Sequence, residues 1–540
     1  MDLTYQIASI SSNLDDTVAL PPAGVTCIVG ANNVGKSRLL MDIRKALLSD
    51  DPSPTQVLSA VELVKPMPFV PPQDAQSFFS TGVVPPEVFD WLEEHSGASG
   101  VDYQGNRIFS ARGSGSRTNG REFFSGLVQP KLSQQIAPWF LADTTSSAGN
   151  HVSAVSMQTD EFDASYLAMI RRSREREIEL EAAFSESFGE HLVFDQATGS
   201  NALRIGEVSE DLLSGGRFTD AYTAQMSRLP KLGEQGAGMQ AFMGIVAPLV
   251  LGGFQVFLYD EPETYLHPPQ ARALGRFMGT KAREKGLQLI VVTHDRDLVI
   301  GLMESKAPLK FVRVAREGTG NRLSHVDTAD VEWIWKKAVL RYSNVLDGLF
   351  YNRVVICEAE ADCRFYSAVL DGLLEDGEVS RRDADALFVG AAGKSGIAVR
   401  AKGLAMLHVR ISVIVDFDFL TDDVSKIRAV TDALNFTLAE EDLLNINLVK
   451  QDVSENDLKA AIKRAGLSVL VSPRARIAAG AIIERLASMG VFVLRGGTME
   501  SFEPMSFQDK EPWVDDVLEK GKHRTLIQAR ELMRRVSGSA

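Results

Sequence analysis

Cysteine is scarce in this chain of 540 residues, which contains only Cys27, Cys357 and Cys363. None of the three belongs to a C-x-x-C motif or a Cys/His ligand pair, which excludes a disulfide scaffold and a structural zinc site. Long apolar runs are lacking too. The most apolar stretch, residues 245–259, is interrupted by two glycines and a glutamine. It is shorter than the roughly 20 apolar residues that a membrane span needs.

Positive charge is also in deficit, because 57 Lys and Arg face 71 Asp and Glu, for a net charge of −14. This balance excludes a wholly basic, histone-like binder but leaves room for a local basic groove. The N-terminal segment 1–10 has an acid and no basic region, so no signal peptide is predicted. We expect a soluble, cytoplasmic protein without a membrane partner. Its length, at about 150 residues per domain, predicts two to four domains.

A glycine-rich segment follows the first apolar run, Val25–Val29, and precedes a helix predicted over Lys36–Leu48. It reads G-A-N-N-V-G-K-S, a complete G-x-x-x-x-G-K-S. In this order, backbone N–H groups and a helix N-terminus surround the phosphates of ATP, the lysine reaches the β- and γ-phosphates, and the serine hydroxyl binds Mg²⁺. The predicted ATP-binding residues of the segment are Gly30, Asn32, Asn33, Gly35, Lys36 and Ser37.

Two later strands end in polar residues suited to the same site. The apolar run before Asp260 and Glu261 predicts that Asp260 completes the Mg²⁺ shell and that Glu261 polarises the attacking water. An acidic pair is ordinarily a solvated strand end, but the P-loop favours the catalytic interpretation. The next apolar run ends at Thr293, and His294 directly after it suits a sensor of the γ-phosphate.

These motifs occur with Gly236-Ala237-Gly238-Met239-Gln240 and with the D-E-P-E-x-x-L-H-P run at 260–268. Together they resemble an ABC-type ATPase of the OLD (overcoming lysogenisation defect) family. The resemblance implies that Gly236 and Gly238 belong to a signature that caps ATP held by a second protomer. It therefore implies a homodimer or a higher homo-oligomer. The signature here is G-A-G-M-Q rather than the transporter L-S-G-G-Q, and an L-S-G-G at 213–216 is a second candidate.

A second acidic site is predicted downstream. Glu358 follows the apolar strand 353–357, and Asp416 and Asp418 follow the strand 411–415, where alternation places both aspartates on one side. If the two strands are neighbours in a parallel sheet, the three carboxylates converge at its carboxyl edge. Such a set of hard oxygen ligands favours Mg²⁺ or Mn²⁺. One or two of these ions would support phosphodiester cleavage.

The order E-x-x-x-D, glycine loop, D-x-D resembles the Toprim fold of topoisomerases, primases and OLD nucleases. One departure is Ala359, which stands where that family usually has glycine. The resemblance implies the following roles: Glu358 as general acid/base or metal ligand, Asp416 and Asp418 as metal ligands, Asp362 as the next acidic ligand, Glu500 as an auxiliary metal ligand or structural residue, and Lys522 as a catalytic-edge lysine.

Three segments permit more than one interpretation. The glycine loop 390–396 lacks P-loop spacing; it is either a solvated turn or a turn near the metals from which Lys394 approaches a phosphate. The basic residues between 520 and 535 also permit two interpretations: they contact the phosphate backbone of a nucleic acid, or they belong to an ordinary solvated helix. The second interpretation is preferred for most of them. The region 50–160 reads as loops, and residues 165–188 predict a helical arm.

The sequence thus predicts an α/β protein with an N-terminal ABC-type P-loop ATPase domain at 1–345, including a helical or irregular insertion at about 50–235. A C-terminal Toprim domain with a Rossmann-like parallel sheet is expected at 346–540. The expected function is ATP-binding, metal-dependent cleavage or nicking of DNA in bacterial anti-phage defence, with a defence-system partner protein. Two alternatives stay open: an effector that cleaves RNA such as tRNA, as in PARIS-type defence, and an ATP-driven sensor that binds nucleic acid without cutting it.

Overall fold

The computed structural model describes most of the chain in segments. These are residues 5–48, 55–63, 76–77, 81, 83–96, 98–101, 106–111, 117–127, 136–143, 166–195, 202–209, 219–326, 328–341, 344–504 and 510–538. By their internal contacts the residues divide into two compact units. The first unit comprises Met1–Val29 and Asn33–Val331, and the second comprises Gly30–Asn32 and Glu332–Ala540.

The first unit is built on a six-stranded sheet with the order β14-β13-β3-β12-β11-β8. All neighbours are parallel except β13 and β14. The central strands are buried along nearly their whole length, as expected where helices cover both faces of a parallel sheet. Their bounds are β3 Gly24–Val29, β8 Leu141–Asp143, β11 Val256–Asp260, β12 Gln288–Val292, β13 Leu309–Glu317 and β14 Gly320–Val326.

Three small antiparallel sheets accompany it, with the orders β2-β1-β4, β5-β6-β7 and β10-β9. The buried Gln288 side chain ties β1 to the large sheet, since it bonds both the N–H and the C=O of Ile7, at 2.9 and 2.8 Å. The strands are β1 Ile7–Ser12, β2 Thr17–Ala19, β4 Leu58–Leu63, β5 Ala98–Val101, β6 Arg107–Ser110, β7 Arg117–Asn119, β9 Leu192–Phe194 and β10 Leu203–Ile205.

The following helices belong to this unit, except that α10 is shared with the second unit. They are α1 Lys36–Leu47, α2 Pro86–His95, α3 Gly120–Leu127, α4 Tyr166–Arg171, α5 Arg174–Phe188, α6 Asp220–Arg228, α7 Ala237–Leu251, α8 Pro268–Lys285, α9 Arg296–Glu304 and α10 Thr328–Lys336. The division between the units lies inside α10, before the predicted boundary at residue 345.

Residues 50–160 differ from the loops that the sequence predicted. Their described parts contain two helices and five strands, and β8 forms the edge of the large sheet beside β11. Other parts of this region, including the Pro-rich residues 66–68 and the Gly/Ser-rich residues 112–116, lie outside the described residues. The predicted helical arm is divided: α4 ends at Arg171, and Ser173 caps α5 by accepting a hydrogen bond from the Arg176 N–H.

The second unit has a four-stranded parallel sheet with the order β16-β15-β17-β18, and two of its strands, β15 and β17, lie where apolar runs predicted strands at 353–357 and 411–415. The strands are β15 Arg353–Cys357, β16 Ala386–Gly390, β17 Arg410–Val415 and β18 Val491–Val493. The helices after α10 are α11 Ala338–Arg341, α12 Glu360–Glu375, α13 Ile397–Met406, α14 Val424–Ala433, α15 Glu440–Glu455, α16 Lys459–Ala465, α17 Pro473–Ser488, α18 Lys510–Glu519 and α19 Ile527–Ser537.

The C-terminal helix is anchored to this sheet by a buried arginine. Arg353 on β15 donates hydrogen bonds to the Ser412 hydroxyl at 2.9 Å and to the carbonyls of Val536 and Ser537 at the end of α19. A cation suits the carbonyl end of a helix. Among the described residues no single helix meets the length and hydropathy needed to cross a membrane; only the pair 459–469 and 473–488, bent by 82°, does so by length and composition.

Candidate nucleotide and metal sites

The glycine-rich segment connects β3 to α1, as the sequence predicted. Its backbone adopts positive φ angles at three residues: 146° at Gly30, 61° at Asn33 and 99° at Gly35. Gly35 directly precedes α1, and a Cβ built there would lie 3.2 Å from Val57 Cγ2, so both conformation and space favour glycine. The Asn321 side chain on β14 supports the turn by donating to the Val34 carbonyl at 2.6 Å.

Ser37 and Asp260, the two predicted Mg²⁺ ligands of the ATP site, are in contact in the structure. Ser37 Oγ donates to Asp260 Oδ1 at 3.1 Å although 223 residues separate them. Burial raises the pKa of Asp260, and the hydrogen bond from Ser37 opposes that shift. Lys36 is buried beside them, and its charge also lowers the pKa of Asp260. A serine hydroxyl and an aspartate in contact, next to a lysine, match the ligands that P-loop ATPases offer to Mg²⁺ and phosphate.

Glu261 and His294 also lie together. His294 Nδ1 is 3.2 Å from Glu261 Oε1, and Glu261 adopts φ 47°, an uncommon conformation for a side chain with Cβ. Because β11 and β12 are parallel neighbours, their carboxyl ends place the acid and the histidine at one edge. This pair is positioned to orient a water molecule or a γ-phosphate.

Glu263 belongs to the same cluster, although no role in the site was predicted for it from the sequence. Its Oε1 accepts the Thr293 hydroxyl at 2.7 Å and the His294 N–H at 3.3 Å. Burial raises the pKa of Glu263 to about 7, and these hydrogen bonds oppose the shift. The only sequence signal for this residue was its place in the D-E-P-E run. Its contacts hold the backbone that carries His294.

The predicted signature segment forms the start of α7. Gly236 precedes the helix, and nothing lies within 4 Å of a Cβ built there. A Cβ on Gly238 would lie 2.5 Å from the Tyr265 carbonyl oxygen, so glycine permits the helix to approach the turn after β11. The second candidate, residues 213–216, lies outside the described residues.

In the second unit the structure brings Glu358, Asp416 and Asp418 together. One carboxylate oxygen of each lies within 4.8 Å of the others. Their positions follow from the sheet, because β15 and β17 are adjacent and parallel and end just before these residues. One detail differs from the prediction: β17 ends at Val415, and Asp418 lies in a 3-10 turn, Phe417–Thr421, rather than on an extended strand.

Burial and mutual repulsion disfavour the charged forms of Glu358 and Asp416. Burial raises the pKa of Asp416 to about 7, with the charges of Glu358, Asp362 and Asp418 adding to the increase and that of Lys510 opposing it. Burial also raises the pKa of Glu358, whose Oε1 accepts the Asp416 N–H at 3.1 Å. A divalent cation would relieve this repulsion, and three carboxylates with hard oxygen atoms fit Mg²⁺ or Mn²⁺.

Lysines surround the acidic group. Lys510 Nζ lies 3.0 Å from Asp362 Oδ1 and 3.4 Å from Asp416 Oδ2, and Lys394 contacts Asp418. Burial lowers the pKa of Lys510, but the charges of Asp416 and Asp362 outweigh it and raise the pKa. Sequence reasoning missed Lys510. Of the two interpretations of the 390–396 loop, the contact of Lys394 supports the turn near the acidic group.

The other predicted residues have separate partners. Asp362 is buried, and its Oδ2 accepts the Ala359 N–H at 2.9 Å, which caps the first turn of α12. Among the described residues, Glu500 Oε2 is buried without a hydrogen-bond partner, and the Glu500 charge raises the pKa of Lys510. Lys522 pairs with Glu503 at 2.9 Å. These contacts therefore place Lys510, rather than Lys522, against the acidic group.

The basic C-terminal residues are paired with acids of their own unit. Arg530 lies 2.7 Å from Asp376 and 2.6 Å from Glu378, and Arg534 also contacts Glu378. Arg524 contacts Glu375. These ion pairs agree with the preferred interpretation of this segment as an ordinary helix with compensated charges.

Comparison with known proteins identifies the ATPase part of the chain. Residues 149–301 match the family described as "AAA domain, putative AbiEii toxin, Type IV TA system". This segment contains β11, β12 and the acidic and histidine residues at their ends, and the match supports the predicted ATPase character of this part of the chain. It does not include the glycine-rich segment at 30–37. No curated protein matches the chain.

Solved SMC head domains show a distant likeness. The SMC head bound to the C-terminal winged-helix domain of ScpA is 11% identical, with a TM-score of 0.35, and the match covers 61% of this chain and 99% of that one. The head domain from Thermotoga maritima is 15% identical, with a TM-score of 0.30, over 60% of this chain and 100% of that one.

Proposed function

We propose that this protein is an ATP-binding and ATP-hydrolysing, metal-dependent nuclease of the OLD type, with an ABC-type ATPase domain at 1–345 and a Toprim domain at 346–540. The observation that carries the proposal is the group of Glu358, Asp416 and Asp418, whose carboxylates lie within 4.8 Å at the carboxyl edge of a parallel sheet. The chain also has a G-x-x-x-x-G-K-S segment between β3 and α1, and residues 149–301 match an AAA-type ATPase family. This combination supports nucleic-acid cleavage that is linked to nucleotide turnover.

The ATPase chemistry follows from the first unit. Lys36 and the backbone of the glycine-rich segment would hold the phosphates of ATP, and Ser37 with Asp260 would hold Mg²⁺. Glu261 would orient the attacking water, and His294 would contact the γ-phosphate. Gly236 and Gly238 would face the ATP of a second protomer, which makes a homodimer or a higher oligomer the functional form.

The cleavage chemistry follows from the second unit. Glu358, Asp416 and Asp418 would bind one or two Mg²⁺ or Mn²⁺ ions, with Asp362 and Glu500 as neighbouring carboxylates. Such ions supply a nucleophilic hydroxide and stabilise the leaving oxygen. Lys510 and Lys394 would contribute positive charge where a phosphodiester approaches the carboxylates. The nucleic-acid substrate is proposed to be DNA, in bacterial anti-phage defence in the cytoplasm with a partner protein.

Two variants separate the proposed activities. Lys36→Ala should abolish ATP binding, because it removes the ammonium group that contacts the β- and γ-phosphates. Asp416→Ala should abolish plasmid and duplex cleavage while ATP hydrolysis continues at the wild-type rate. Release of phosphate and conversion of supercoiled plasmid are measured on the same preparations. Normal cleavage by Asp416→Ala would refute the metal-site assignment.

A further inference from the structure

A cavity of about 700 Å³ lies in the second unit beside β18, the edge strand of the four-stranded sheet. Its wall is mainly apolar and includes Phe492 of β18, Ile483 and Ala487 of α17, and Leu532 of α19. Its volume falls in the range of about 300–1,000 Å³ that is typical of sites for small molecules. None of the residues with a proposed role in ATP hydrolysis or cleavage lines it.

Arginines converge at this cavity. Arg476, Arg495 and Arg535 all line it. Arg495 and Arg535 donate to the two oxygens of one carboxylate, Glu484, at 2.6 and 2.8 Å. Since each guanidinium has five N–H donors, the shared carboxylate uses only a part of their capacity. Glu531 also lines the cavity, so the three arginines counted against Glu531 and Glu484 leave one net positive charge for an incoming anion at the edge of the apolar wall.

We propose that this cavity is a binding site for a small amphipathic anion, a molecule with an aromatic or aliphatic body and one carboxylate, phosphate or sulfonate group. The body packs against Phe492, Ala487 and Leu532, and the anionic group binds Arg495 and Arg535. Burial of the apolar body supplies most of the affinity, and the charge-assisted hydrogen bonds fix the orientation.

The cavity is connected to the acidic group by a short backbone path. Leu494, which lines the cavity, donates its N–H to the Val415 carbonyl at 3.0 Å. Gly497, directly after the lining residue Gly496, accepts the Phe417 N–H at 2.8 Å. These two bonds lie on either side of Asp416. A ligand that displaces residues 494–496 therefore displaces the backbone on both sides of Asp416 and changes the affinity for a divalent cation, an effect that rests on the proposed function.

Fluorescence titration of the full chain tests the site, with anilinonaphthalene sulfonate as the anionic probe and phenylnaphthylamine as its uncharged relative. Ala487→Trp fills the cavity and should weaken binding of both probes at least about tenfold, or by about 1.4 kcal/mol. Ile477→Trp is the matched control, because Ile477 lies on the same helix, is 75% exposed and is not part of the cavity wall. It should leave both affinities unchanged.

The double change Arg495→Gln and Arg535→Gln should weaken the sulfonate probe several-fold and leave the uncharged probe unaffected. Absence of saturable binding to the wild type, or equal affinities of wild type and Ala487→Trp, would refute the site. If Ala487→Trp does not fold, as judged by its circular dichroism, Leu532→Trp fills the same cavity from α19 and replaces it in the comparison.

Mn²⁺ titration followed by electron paramagnetic resonance tests the connection. The sulfonate probe should change the Kd for Mn²⁺ several-fold, and Mn²⁺ should change the Kd for the probe by the same factor. An unchanged Kd would refute the connection. Absence of Mn²⁺ binding without the probe would refute the proposed metal site, and therefore also its connection to the cavity. The fluorescence titration would still test the cavity, because it does not depend on Mn²⁺ binding.

Discussion

The group formed by Glu358, Asp416 and Asp418 leads to a testable prediction about stability. The charged Asp416 carboxylate should destabilise the protein when no metal is bound. Asp416 has a side chain only 13% exposed, and burial raises its pKa from 3.8 to about 7. A rise of the pKa from 3.8 to about 7 corresponds to a cost on the order of 4 kcal/mol when the carboxylate is charged. Asp416→Asn keeps the size of the side chain and removes the charge. We therefore expect this variant to be more stable than the wild type at pH 8 without metal.

The sign follows from proton binding. Below pH 3.8 the carboxyl is protonated in both the folded and the unfolded chain, so it contributes no difference. Between pH 3.8 and about 7 the unfolded chain releases the proton first, and the free energy of unfolding of the wild type falls as the pH rises. Above about pH 7 the full loss is present. The variant should lack this dependence.

The assay is thermal unfolding of the full chain in EDTA at pH 5 and pH 8. Each kcal/mol shifts Tm by about 2–4 °C for a unit of this size, so the variant should exceed the wild type by several degrees at pH 8 and by much less at pH 5. Mn²⁺ should then raise Tm of the wild type and not of the variant. Asp432→Asn, at an exposed position of α14, is the control. A variant less stable than the wild type at pH 8, or equally stabilised by Mn²⁺, would refute the reasoning.

Other substitutions test separate parts of the account. Lys36→Ala should raise the Kd for ATP at least about a hundredfold in an equilibrium binding assay, and unchanged affinity would contradict the P-loop assignment. Lys510→Met should leave Mn²⁺ bound but reduce cleavage at least about tenfold, whereas Lys522→Met should change neither Mn²⁺ binding nor cleavage; the opposite order would favour Lys522, which the sequence suggested. Gly238→Ala should lower the free energy of unfolding by about 1–3 kcal/mol, because the new Cβ meets the Tyr265 carbonyl, and an unchanged denaturation midpoint would contradict that.

Much of the sheet framework was predictable from short apolar runs. β3, β11, β12 and β15 are buried along nearly their whole length, so the continuous apolar pattern of a parallel strand marks each of them in the sequence. By contrast, β8 has only three residues and follows a segment with little periodicity. Its place beside β11 depends on pairing between distant parts of the chain, which local pattern does not encode.

The two site residues that were not predicted, Lys510 and Glu263, depend on contacts between distant parts of the chain. Asp416 and Glu358 stand at strand ends, where topology alone brings carboxylates together. Lys510 lies 148 residues from Asp362 and 94 from Asp416, outside any strand or motif, and only the packing of α18 brings it to the acidic group. Glu263 was visible as part of an acidic run, but its burial depends on the Thr293 hydroxyl reaching it from the next strand.

The measurement that tests the central proposal most directly is cleavage of supercoiled plasmid, linear duplex and total tRNA with Mg²⁺ or Mn²⁺, with and without ATP. Wild type is compared with Glu358→Ala, since Glu358 contacts the Asp416 backbone and belongs to the acidic group. We expect metal-dependent cleavage of plasmid or duplex by the wild type alone. Intact DNA together with fragmented tRNA would show that the substrate is RNA rather than DNA. Cleavage of no substrate by the wild type, or equal cleavage by Glu358→Ala, would contradict the proposed nuclease site.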